Sequence, residues 1–142
     1  MSVRRARVPA EAAQLPALMG LLGKFCSETQ LAPAHQAAFE LALEEIFTNI
    51  IKHGTRPGIV PWVELSLAAA ANGLTMTFED DGPQFDPLSL PEPDVTASLE
   101  ERPIGGLGVF LVRRMMDAVD YQRVGTRNRL TLTRSAVQAS GI

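Results

Sequence analysis

Hydrophobic positions along the chain recur with two distinct periods. From Phe39 to Gly54 the period is helical: at ~100° per residue, Phe39, Leu43, Ile46, Phe47 and Ile50 gather into one apolar stripe. No Gly or Pro interrupts this stretch before Gly54 closes it, so it reads as a helix entered from the Leu31-Ala32-Pro33 corner. His35 falls in its first turn, at a position expected to be exposed. Leu15, Leu18, Met19, Leu22 and Phe25 give a second helix over Ala10–Thr29, with Pro16 near its start, where proline is tolerated. Phe110, Val112, Met115 and Met116 give a third over Val109–Ala118.

Elsewhere the pattern alternates. Val3–Val8 reads as a short edge strand stopped by Pro9. Val63, Leu65 and Leu67 share one phase, Leu74, Met76 and Phe78 another, and Ala71-Asn72-Gly73 between them suits a hairpin turn. Trp62 stands near a strand start and reads as a packing residue, not a platform for stacking bases. Val119–Val124 and Leu130–Thr133 close the chain as two more strands, with a turn near Gly125–Asn128 and a polar tail after them. Thr55-Arg56-Pro57-Gly58 is a turn by composition. The long stretch from Pro83 to Pro103 carries five prolines and little periodicity. Connections of that length inside a compact domain are usually lids or binding loops, so a lid is expected over about 83–104.

Composition narrows the class. A chain of 142 residues with 46% hydrophobic and 20% charged residues is expected to form a single domain over 1–142, its core running from about 3 to 134. The net charge of −3 argues against non-specific nucleic-acid binding. Eleven arginines stand against Lys24 and Lys52, which suits contacts with anions. The single cysteine, Cys26, forbids an internal disulfide, fits a reducing compartment and reads as a small buried residue of the first helix. Arg4, Arg5 and Arg7 are followed by no adequate apolar core for a signal peptide, and no run approaches the ~20 apolar residues of a membrane span. A cytoplasmic protein without membrane attachment is expected.

Three segments carry candidate chemistry. On the central helix Glu45 and Asn49 lie four apart on one face, beside the small Ala38 and Ala42. Asn offers a neutral oxygen suited to a hard cation such as Mg²⁺, and Glu can act as a base; alone, the pair reads as an ordinary solvated flank. Asp80 continues the inward phase of Leu74, Met76 and Phe78, so the strand ends by pointing a carboxylate at the covered face. Such a group needs a donor, and the exocyclic amine of adenine is one; Gly82 then allows a base close to the backbone. Taken by themselves, Asp80-Asp81-Gly82 read first as a turn. Finally, Gly105-Gly106-Leu107-Gly108 opens the third helix, where free N–H groups and the positive end of the dipole favour an anion.

In this order the three segments resemble the GHKL ATPase superfamily, and more narrowly the anti-sigma-factor serine kinases of bacterial partner-switching systems. The strings that carry the resemblance are ELALEEIFTNIIKHG (Glu40–Gly54), DDGPQFDP (Asp80–Pro87) and GGLGVFLVRRMMD (Gly105–Asp117), and it covers about Val3 to Thr133. It implies an α+β fold, a two-layer α/β sandwich whose mixed, mostly antiparallel sheet is covered on one face by about three helices. It implies ATP and Mg²⁺ as ligands, with Asn49 on the metal and Glu45 as the base that takes a proton from the attacking hydroxyl or water. Asp80 would accept from adenine, Gly82 would make room for the ring, and Gly106, Leu107 and Gly108 would line the phosphate cradle. Lys52 matches a position where a basic residue faces phosphate in many relatives, and equally reads as a solvated lysine. Arg102 would reach the γ-phosphate when the lid closes. Asn128 stands where many relatives have a threonine near the nucleotide, and Pro103-Ile104 separate Arg102 from the glycines, two departures from the family pattern. His53 reads as structural, capping the helix end. The implied activity is phosphorylation of a small anti-anti-sigma-type regulator together with sequestration of a sigma factor, in a homodimer whose likeliest surface is Val3–Leu31. The alternative is a nucleotide-responsive binding switch that transfers no phosphate.

Overall fold

The structure, a computed structural model, describes residues 2–70, 73–90 and 107–135. Five strands form one sheet in the order β1-β2-β3-β5-β4: β1 Ser2–Pro9, β2 Trp62–Ala70, β3 Gly73–Asp80, β4 Ala118–Val124 and β5 Arg127–Ser135. Three α-helices, α1 Leu15–Glu28, α2 Pro33–Gly54 and α3 Leu107–Met115, and two 3₁₀ turns, Ala12–Gln14 and Pro87–Ser89, complete the described elements. Every ladder among the described residues is antiparallel, in keeping with the mostly antiparallel sheet that the resemblance implied. The reason is the path after β3: the chain crosses through α3 to the edge strand β4, then returns as β5 between β4 and β3.

Register decides which side chains reach the core. Residues directly opposite in an antiparallel pair share a face. Val63, Leu65 and Leu67 therefore stand beside Asp80, Phe78 and Met76, which in turn face Asn128, Leu130 and Leu132. Phe25, Phe39, Phe47 and Phe78 are fully buried together with Leu18, Leu22 and Leu43, so the inward face of the sheet and the apolar stripes of α1 and α2 make one core. Cys26 lies in that core on α1, and burial pushes its thiol above its ordinary pKa. The other face carries Ser66, Thr75, Thr77, Thr131 and Thr133 at alternating positions. Edge strand β1 bears Arg4, Arg5 and Arg7, charges that discourage pairing with another chain.

Several local expectations are corrected. Ala10 lies outside α1: it is buried, its amide donates to the Pro61 carbonyl at 2.8 Å, and a 3₁₀ turn over Ala12–Gln14 precedes the helix. Helix α3 runs Leu107–Met115, not Val109–Ala118. It stops early because the Arg134 guanidinium donates to the Met115 carbonyl and the Asp117 amide donates to Thr133 O at 2.8 Å, which starts β4 pairing. The last turn shrinks to Gly125-Thr126, with Gly125 at φ 61°, since Val124 already pairs with Arg127. Asn128 is thereby drawn out of the turn and into β5. His35 is half-buried, not exposed, and accepts from Arg134 Nε at 2.8 Å. Trp62 packs outside the core, under the guanidinium of Arg7 at 3.9 Å and near that of Arg127 at 5.1 Å.

Candidate nucleotide site

At the end of the sheet where β3 stops, Asp80 is only 6% exposed. Its Oδ1 accepts from the Gly82 amide and from Asn128 Nδ2, both at 2.9 Å. Its Oδ2 takes no donor from any described residue. Because no fully buried side-chain oxygen or nitrogen among the described residues lacks a partner, Oδ2 is the oxygen that reaches solvent in the cleft. Burial raises the Asp80 carboxyl above the usual aspartate range; the bonds from Asn128 and Gly82 and the charge of Arg123 oppose this without cancelling it, and Asp81 adds to it.

Asn128 organises everything around that carboxylate. Directly opposite Asp80 in the ladder, it is itself 6% exposed. Its Nδ2 donates to Asp80 Oδ1 and, at 2.8 Å, to the Pro83 carbonyl. Its Oδ1 accepts from Tyr121 Oη at 2.6 Å, Arg123 Nη1 at 3.1 Å and the Phe85 amide at 3.2 Å. Arg123 Nη1 also donates to Gly82 O at 3.0 Å. The carboxamide is thus saturated by protein groups. It positions Asp80 and the 83–85 segment and has no polar atom left over for a ligand.

The cleft over Asp80 is lined by Ile46, Asn49, Ile50 and His53 of α2, by Pro83, Phe85 and Pro87 of the following loop, and by Tyr121 and Leu130. Its empty space, open solvent included, is about 430 Å³. Asn49 and Asp80, 31 positions apart in sequence, open onto this one cleft. A helix places Asn49 there because Ile46 and Ile50 share its side of α2. The missing Cβ of Gly82 makes room for the molecule itself: a Cβ there would lie 3.0 Å from Asp80 Oδ1 and 3.4 Å from the Gly54 Cα.

Other expected residues fall elsewhere. Glu45, one turn before Asn49, is half-buried, and its carboxylate lies against Gly108 at the start of α3, outside the cleft lining. Lys52 is exposed and does not line the cleft. Leu107 is the first residue of α3; Arg102, Gly105 and Gly106 lie outside the described residues, as does most of the expected lid. Ala38 and Ala42, expected beside Glu45 and Asn49, are buried in the core at 4% and 0% exposure. His53 does not cap α2. The Thr55 amide donates to Ile51 O at that end, and the imidazole stacks on the Phe85 ring. No cluster of three or more His, Cys, Asp or Glu side chains occurs among the described residues. A cation held chiefly by phosphates and water needs no such cage, and the Asn49 carboxamide is a donor of the right hardness.

Sequence reasoning missed His53, Phe85, Tyr121 and Arg123. Tyr121 and Arg123 share the phase of Val119 on β4, so alternation could have turned them inward; only the ladder with β5 puts them beside Asn128. Phe85 sits in a loop, where no period applies.

Comparison with known proteins points in one direction. The family model described as the histidine kinase-like ATPase domain matches residues 8–134. The chain is 33% identical over 93 residues to the serine/threonine-protein kinase BtrW of Bordetella bronchiseptica, a match covering 66% of this chain and 66% of that protein. Its fold is similar to a crystal structure of the RsbU and RsbW domains of a Mycobacterium tuberculosis protein, with a TM-score of 0.64 and 13% identity, covering 95% of this chain and 32% of that one.

Proposed function

The chain belongs to the histidine kinase-like ATPase family, and from that premise we propose that it is a Mg²⁺- and ATP-dependent protein serine/threonine kinase of a partner-switching system. Its substrate is a small regulator of the anti-anti-sigma type, and it sequesters a sigma factor. The observation that carries this reading is the convergence of Asn49 and Asp80 on one cleft, with Glu45 one helical turn from Asn49 and facing the start of α3. The similarity to the Bordetella serine/threonine-protein kinase BtrW agrees with it.

In this reading Asp80 Oδ2 accepts from the adenine amine while Gly82 and Asn128 hold Oδ1. The phosphates run from there toward the Gly108 amide in the first turn of α3; Gly106 is assigned to the same cradle, and Lys52 and Arg102 to the phosphate charge. Asn49 would hold magnesium through its side-chain oxygen, and the ion would supply charge neutralisation. Glu45 takes the proton from the attacking hydroxyl as its oxygen bonds to the γ-phosphorus and ADP departs.

Incubation with γ-labelled ATP and candidate regulators tests the reading. Glu45→Ala is expected to lower transfer by about 10²–10⁴-fold with ATP affinity retained. Transfer at the wild-type rate would falsify the base assignment. Nucleotide-dependent partner binding with no labelled product would make the protein a switch and not a kinase.

A further inference from the structure

The last turn of α2 carries a feature that the reading above leaves unused. His53 lies four residues after Asn49, on the same helical face, and its ring stacks on Phe85 with centroids 3.9 Å and planes 17° apart. Both rings line the cleft with Asp80. His53 makes no hydrogen bond to any described residue, so its side chain is engaged there through its face. Burial, and then the charge of Lys52, hold the imidazole below its ordinary pKa, which keeps it neutral near pH 7 and suited to stacking.

Phe85 has neither helix nor strand to hold it. Two contacts do so instead: its amide donates to Asn128 Oδ1 at 3.2 Å, and its ring rests on His53. The same Asn128 carboxamide donates to Asp80 Oδ1. One side chain therefore sets the aromatic ring and the carboxylate in register across the cleft. A flat ring placed beside a carboxylate with one free oxygen is the arrangement that reads a planar base by stacking and by its amine together.

We propose that His53 is a positioning residue for base recognition, holding Phe85 as the aromatic wall against which the purine packs while its amine reaches Asp80. The proposal rests on the nucleotide reading above. Without the imidazole, the Phe85 ring regains rotameric freedom and the wall is lost even though its backbone stays tied to Asn128.

The test is a double-mutant cycle on ATP binding, by calorimetry, with His53→Ala, Phe85→Ala and the pair, alongside His53→Phe and thermal melting of each unliganded protein. Each alanine variant is expected to weaken ATP binding about tenfold. The pair should be no weaker than Phe85→Ala, and His53→Phe should recover most of the loss. Wild-type affinity in His53→Ala, losses that add in full, or an unrecovered His53→Phe each overturns the proposal. So does a lowered melting temperature with unchanged affinity, which marks His53 as structural only. Should His53→Ala not fold, His53→Gln against His53→Phe makes the same comparison. If the wild-type chain binds no ATP, the nucleotide reading falls and takes this proposal with it; if it binds and the variants match it, this proposal alone falls.

Discussion

Asp80 ends a strand whose other inward positions are Leu74, Met76 and Phe78, so its charge is held among apolar neighbours with only one of its oxygens satisfied by protein. Burial raises its pKa, and the sign of the consequence follows. A carboxyl whose folded pKa lies above its unfolded value stabilises the fold fully below the unfolded pKa, and that contribution is lost as pH rises through the folded value. At neutral pH the ionised Asp80 is therefore a cost to the unliganded protein. Asp80→Asn should raise the melting temperature at neutral pH, with the advantage fading in mild acid, while ATP binding is lost. In the wild type, ATP affinity should fall on acidification, starting at a higher pH than an ordinary aspartate would give. Melting curves and titrations across that range check both. An Asp80→Asn protein that is no more stable at neutral pH would remove the electrostatic account.

Between α2 and α3, the Glu45 side chain lies against Gly108. A Cβ on residue 108 would lie 1.8 Å from Glu45 Oε2 and 2.2 Å from its Cδ, so only glycine allows this carboxylate to rest where it does. Gly108→Ala must push the Glu45 side chain aside. The carboxylate end of a glutamate can swing, and alanine favours a helix over glycine, so the fold should hold or gain slightly. Phosphoryl transfer should nevertheless drop by about 10²-fold, the usual consequence of misplacing a catalytic group by roughly 1 Å. Single-turnover transfer rates set beside melting temperatures separate the two effects; unchanged transfer would mean that this contact does not position the base. The alternation and helical periods were enough to place α2, β2 and β3. They could not set the end of α3, because Arg134 and Thr133 of β5 terminate it, one donating to the Met115 carbonyl and the other accepting from the Asp117 amide.

Across the whole molecule, Asn128 joins β5 to the end of β3, to β4 through Tyr121 and Arg123, and to the loop through Pro83 and Phe85. Asn128→Ala removes all of these bonds at once and leaves buried donors and acceptors without partners. It should cost about 1–3 kcal/mol of folding stability, read by urea unfolding, and weaken ATP binding as Asp80 and Phe85 lose their common anchor. A variant as stable as the wild type would show that water replaces the carboxamide without loss.

By itself the sequence determined the local order of this protein. Helical and alternating periods depend on which face of one element is apolar, and that can be counted along a single segment; so the stripe of α2, the inward turn of Asp80 and the family strings could be read directly. The tertiary structure alone decided what those residues meet. Ala38 and Ala42 went into the core, Asn128 spent its carboxamide on protein partners, and His53 found Phe85, because each outcome depends on strand register and on a loop without any period. Contacts between segments tens of residues apart are set by how the sheet pairs, and no single segment contains that information.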